Sequence, residues 1–136
     1  MSNSIHEFVI RGGQTVTVGQ MNAFRRQLPF LKVKATTFPL DEYPHLAEQT
    51  LFLTRYAEDV LDDVYQSGDL SAIMETIFAL GYLLKDVDII PDDVPHTGLS
   101  DDAAVLRAVL IEHEAEFRAF AEKIEFAYEA LGLHEA

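Results

Sequence analysis

The chain contains no cysteine, which excludes a disulfide framework, a thiolate nucleophile and a Cys-based zinc site. Long hydrophobic runs are also missing. The longest apolar stretch, Ile73 to Leu84, is interrupted by Glu75 and is far too short to span a bilayer. The first residues, MSNSIHEFVIRGG, lack the basic start and extended apolar core of a secretion signal. These absences set the expectation of a soluble, cytoplasmic protein with no transmembrane segment. Basic residues are scarce, 10 against 23 acids, and the net charge of −13 repels both nucleic acid and anionic membranes. The sequence therefore argues against a nucleic-acid partner.

Familiar catalytic signatures are absent too. There is no G-x-S-x-G, no H-E-x-x-H and no glycine-rich phosphate loop before a helix. An EF-hand counted from Asp86 fails, because its fifth position is Ile90 and its twelfth Thr97. A di-iron bundle needs Glu-x-x-His on its helices, and here the order is reversed, His45 before Glu48 and His113 before Glu116.

What is present is 136 residues, 49% of them hydrophobic, enough for one domain over residues 1–136 with its own apolar core. The charge is uneven. Residues 1–40 carry Arg11, Arg25, Arg26, Lys32 and Lys34 against Glu7 alone, while residues 41–136 hold nearly all the acids. The simplest consequence is that a basic N-terminal arm lies on an acidic helical core, of its own chain or of a second copy; the alternative is an arm for an anionic ligand.

Within the arm, residues 5–18 pair two β-branched or aromatic runs around Gly12-Gly13, the pattern of a β-hairpin. A short helical run over about 20–28 follows, stopped by Pro29. From there the periodicity is helical. Leu46, Thr50, Leu53, Ala57, Val60 and Val64 line one face of a helix over about 43–66, closed by Gly68. Asp69 is a natural N-cap for a second helix, 70–84, apolar on nearly every side and so expected at the centre. A third, over about 100–131, is capped by Ser100 and ended by Gly132-Leu133. Its stripe, Leu106, Leu110, His113, Phe117, Phe120, Ile124, Ala127 and Leu131, has heptad spacing and predicts packing along another long helix, within the chain or across a dimer. The expected fold is mainly α, a small bundle of three principal helices with an N-terminal hairpin.

The densest chemistry lies between Asp88 and Asp102, where DIIPDDVPHTGLSDD crowds Asp88, Asp92, Asp93, Asp101 and Asp102 around two prolines and a glycine. Carboxylates so close need backbone N–H groups, a basic partner or a metal ion. Pro91, Pro95 and Gly98 shape a turn, and Ser100 to Asp102 suit a helix start. The stretch from Tyr82 to Leu106 resembles the signature of the YkvA-like domain family, a bacterial family of unknown function. The matching residues are Tyr82, Asp88, Ile90, Pro91, Asp92, Pro95, Gly98, Asp101 and Asp102. Asp86 stands where that family usually has proline. The resemblance implies a small helical domain and brings no catalytic role.

Two functions follow as expectations. One is a non-catalytic interaction or self-association module, with a protein partner or a second copy meeting the face of Phe117, Phe120 and Ile124 and no bound cofactor. The other is a divalent-cation site for Mg²⁺, Mn²⁺ or Ca²⁺ made by Asp88, Asp92, Asp101 and Asp102, helped by Asp59, Asp62 or His96. A metal-bound water there would supply a nucleophile for phosphoester hydrolysis. For His113, on an apolar stripe, the expected role is a core histidine bonded to a neighbour.

Overall fold

The computed structural model describes residues 2–89 and 97–133, with side chains over 5–84 and 101–133. Among these residues there is no strand. The elements are α1 (Ser2–Gln14), α2 (Val18–Phe24), a 3-10 turn (Arg25–Gln27), α3 (Leu28–Ala35), α4 (Leu46–Leu61), α5 (Leu70–Ile89), α6 (Thr97–Glu112), α7 (Glu114–Lys123) and a closing 3-10 turn (Tyr128–Leu131). α5 is the central helix, packed against α1, α2, α4 and α6. Its Ala72, Ile73, Ile77, Ala79, Leu80 and Leu83 are buried, as its all-round apolarity requires. The buried residues from Val9 to Leu133 form one apolar core.

The N-terminal hairpin is not found: that segment is α1. Ile5, Val9, Gly12 and Val16 recur at spacings of four and three, and this stripe faces α5, with Val9 buried. Gly12-Gly13 makes no turn. A Cβ at Gly12 would run into the Phe78 ring, and one at Gly13 would lie 2.5 Å from Glu75 Cγ and 3.3 Å from Glu75 Cα. The pair lets two helices approach closely, and that burial outweighs the β propensity of the flanking residues.

Pro29 opens a helix instead of stopping one. It sits in the first turn of α3, where its missing N–H costs nothing. α2 begins with a capping box, Gln20 N–H donating to Thr17 Oγ1 at 3.1 Å and Thr17 N–H to Gln20 Oε1 at 2.9 Å.

The three long helices are also revised. α4 ends at Leu61, not near Gly68. Asp63 takes the left-handed conformation (φ 60°), and Val64 N–H donates to Asp59 O at 2.8 Å, a Schellman closure. Asp69 does cap α5, its Oδ1 accepting from Ser71 N–H at 2.9 Å. The long third helix is broken at His113 (ψ 36°) into α6 and α7, and α7 closes in a second Schellman motif with Glu125 at φ 59° and Phe126 N–H on Ala121 O at 2.8 Å. Ser100 lies inside α6 and does not cap it, and no acid falls in that helix's first turn. Gly132 is left-handed (φ 68°) as expected, closing the last 3-10 turn with Leu133 buried beside it.

The basic arm lies on its own chain. Lys32 Nζ is 2.7 Å from Glu58 Oε2, and Arg25 Nη1 is 2.7 Å from Asp62 Oδ1. Arg25 also donates to the Leu61 carbonyl at the negative end of α4, and Lys34 Nζ to Leu83 O at 2.8 Å.

Candidate functional site

The chemistry-bearing side chains gather in a chain of polar contacts that ties α4, α5 and the α6–α7 break together. His113 stands at that break, its ring 8% exposed, and donates from Nε2 to Oε1 of Glu75 on α5 at 2.9 Å. Its Nδ1 is 3.4 Å from Oδ2 of Asp69 at the start of α5. Ser67, two residues earlier, accepts from Asp69 N–H at 3.2 Å and donates to Glu116 Oε2 at 2.7 Å. Tyr56 of α4 donates to the same Glu116 oxygen at 2.7 Å, with its hydroxyl also 2.7 Å from Ser67 Oγ. Burial pushes the Tyr56 phenol pKa well above its usual value; the Ser67 bond opposes this and Glu116 adds to it. Burial, then Glu116, likewise raises Tyr65.

This arrangement clamps helices together. Both nitrogens of His113 face carboxylates, so the ring is not aimed at a hydroxyl that it would activate. The partner of Ser67 is a carboxylate already taken by Tyr56. The described grooves lie elsewhere on the molecule. The expectation for His113 is met, since it is a core histidine with hydrogen-bonded neighbours. Sequence reading did not pair it with Glu75. The signal was there: each is a polar intruder on an otherwise apolar stripe, and buried polar groups are bonded to something.

The largest described groove, of about 480 Å³, runs between α1, α2 and α5. Phe8, Phe24, Ile77, Phe78 and Tyr82 line it, and Gly81 forms part of its floor. Phe8 is 43% exposed, although its ring stacks edge-on against Phe78 and Tyr82 at 5.2 and 5.6 Å. A Cβ at Gly81 would find Phe24 Cε1 at 3.6 Å, ordinary contact, so packing does not demand glycine here as it does at Gly13.

The face of Phe117, Phe120 and Ile124 is internal. Phe117 and Phe120 are fully buried, edge-on to Phe52 and Tyr56, and Ile124 packs on the same core. The heptad stripe is thus satisfied within the chain and is not a surface for a second copy.

Of the acids proposed as cation ligands, Asp92 lies outside the described residues, as do Asp93 and His96. Asp88 falls in the last turn of α5. In α6 Asp101 is exposed and Asp102 buried. Asp59 and Asp62 are ion-paired with Arg55 and Arg25. Among the described residues no group of three or more His, Asp or Glu side chains is arranged to hold a metal, and no helix is long and apolar enough to cross a membrane.

No curated protein and no solved structure matches the chain. Residues 72–107, about a quarter of the sequence, match a family described as Protein of unknown function (DUF1232). That span runs from the first turn of α5 into α6 and contains the whole stretch from Tyr82 to Leu106.

Proposed function

We propose that this protein is a non-catalytic interaction module whose docking surface is the groove between α1, α2 and α5. The observation that carries the reading is Gly81. A glycine inside a helix costs about 0.5–1 kcal/mol relative to alanine. At Gly12 and Gly13 that cost is offset by close helix packing. At Gly81 there is room for a methyl group, so the fold gains nothing from its absence. What it provides is an open floor beneath an aromatic-walled groove, where an apolar side chain of a bound helix would rest. The YkvA-like resemblance of Tyr82 to Leu106 is compatible with this and adds no activity to it.

Helical peptides selected by display on the full chain, then titrated against Gly81→Met, test the reading. Binding should be lost in the variant while its melting temperature is kept. A selection that yields no binder, or binders indifferent to the substitution, contradicts it.

The second reading is a divalent-cation site of Asp88, Asp92, Asp101 and Asp102, structural or hydrolytic. Its support is the crowding of carboxylates between Asp88 and Asp102, which repel one another unless backbone N–H groups, basic partners or a cation satisfy them. Melting after chelation, and again with Mg²⁺, Mn²⁺ or Ca²⁺ added singly, decides it. A ligand at a hundred times its Kd adds about 2.7 kcal/mol. The gain should vanish in an Asp88→Asn, Asp102→Asn variant; no cation-specific gain rules the site out.

A further inference from the structure

We infer that the occupant of this surface is a second copy of the chain, met across a two-fold axis with the two α1 helices antiparallel, Glu7 of each opposite Arg11 of the other. The inference rests on the groove being an interaction surface and names what covers it.

The chain carries −13 overall, so two copies repel unless they meet where the charge is locally balanced. Residues 2–24 are that place. They contain Glu7 and Arg11, His6, and no other ionisable side chain. α2 has no charged residue, and of the basic residues that follow it Arg25 and Lys32 are already ion-paired within the chain, to Asp62 and Glu58. A strongly acidic or basic partner finds no net charge to complement here, whereas a copy of the same face is complementary by symmetry.

Glu7 and Arg11 are both exposed, one turn apart on the outer face of α1, and among the described residues neither is ion-paired. Phe8 stands between them at the groove's edge, and Glu7, Phe8, Arg11 and Phe78 line a second depression that shares Phe8, Thr15 and Phe78 with the groove. Val18, at the start of α2, is a further exposed apolar side chain, 69% exposed. In an antiparallel pair, Glu7 and Arg11 form two equivalent ion pairs flanking the two Phe8 rings. The ion pairs fix register, and the aromatic and aliphatic area supplies the affinity.

The test uses full-length chains in sedimentation and native mass spectrometry. The wild type should form a concentration-dependent dimer. Glu7→Arg alone sets two arginines against each other at each contact, and Arg11→Glu alone sets two glutamates together. Each should weaken its homodimer by about tenfold or more. Mixed in equal amounts, the two variants should form a heterodimer of near wild-type affinity. That restoration also shows that both fold, because unfolded chains would not pair selectively. A wild type that is monomeric up to its solubility limit overturns the inference, as do single variants that dimerise like wild type or a mixture that stays monomeric. The interaction reading itself fails separately: if the chain is monomeric yet selected peptides still depend on Gly81, the groove stands and only the second copy is lost.

Discussion

Glu75 reaches from the second turn of α5 to His113 at the α6–α7 break, with 2.9 Å between carboxylate and ring nitrogen and both side chains under a tenth exposed. The contact ties the α6–α7 break to α5 and gives Glu75, set in an apolar wall, the partner that a buried polar group needs.

This coupling is measurable. Removing one member of a buried hydrogen-bonded pair leaves the other unsatisfied, so His113→Ala should cost about 1–3 kcal/mol. Glu75→Gln, which keeps the shape, should cost less. In a urea double-mutant cycle the pair should couple by about 1–3 kcal/mol. Additivity within about 0.5 kcal/mol would mean that the contact contributes nothing specific.

Tyr56 sets an alkaline limit on stability. Its folded pKa is raised above the unfolded value of about 10, so the neutral phenol is favoured in the native state. That contribution is complete below about pH 10 and is lost as pH rises from there toward the folded value. Tyr128, pushed up to about 12 chiefly by burial, acts in the same direction. Urea midpoints should be flat at neutral to mildly alkaline pH and then decline, with a shallower decline in Tyr56→Phe. An equally steep decline in that variant would place the limit elsewhere.

The two glycines of α1 should respond differently to alanine. At Gly13 the added methyl meets Glu75 Cγ at 2.5 Å with the Glu75 backbone behind it at 3.3 Å, and that side chain is held by His113, so the overpacking cost of about 1–3 kcal/mol applies in full. At Gly12 it meets the Phe78 ring, half-buried at the groove, which can swing aside. Gly13→Ala should therefore be the more destabilising by calorimetry. The opposite order would mean that the helix crossing is held by the ring.

Glu125 holds a left-handed conformation that costs a side-chain-bearing residue about 1–2 kcal/mol. Glu125→Gly removes this strain and gives back part of it as unfolded-chain entropy. A net gain of roughly 0.5–1 kcal/mol is expected on thermal unfolding. Any loss would show that the Glu125 side chain has a compensating role.

The core of the fold is legible wherever one pattern dominates. The buried α5 and most of the α4 stripe and of the heptad series to Leu131 lie on the core as their spacing demands; Val64 and Ala127, which fall beyond the ends of α4 and α7, are exposed. What those patterns do not report is which neighbour satisfies them. The heptad series reads equally well as a dimer seam, and only the placement of Phe52 and Tyr56 against Phe117 and Phe120 makes it internal. Locally ambiguous signals misled for specific reasons. Gly-Gly between β-branched runs suits a hairpin and a close helix crossing alike. Pro29 stops one helix or starts another depending on what precedes it. Asp63 and Glu125 close helices in a conformation usually left to glycine, so no residue type announces those ends. The groove depends on α1 being helical, so its outline was hidden with α1, and Gly81 looked like an ordinary member of an apolar run.

The most direct test of the account is the unfolding free energy of Gly81→Ala in urea. If the glycine is there to keep a docking groove open, the fold does not need it, and alanine should stabilise the chain by about 0.5–1 kcal/mol. A loss of stability would mean that the packing of α5 itself requires glycine at this position and would contradict the groove's functional reading.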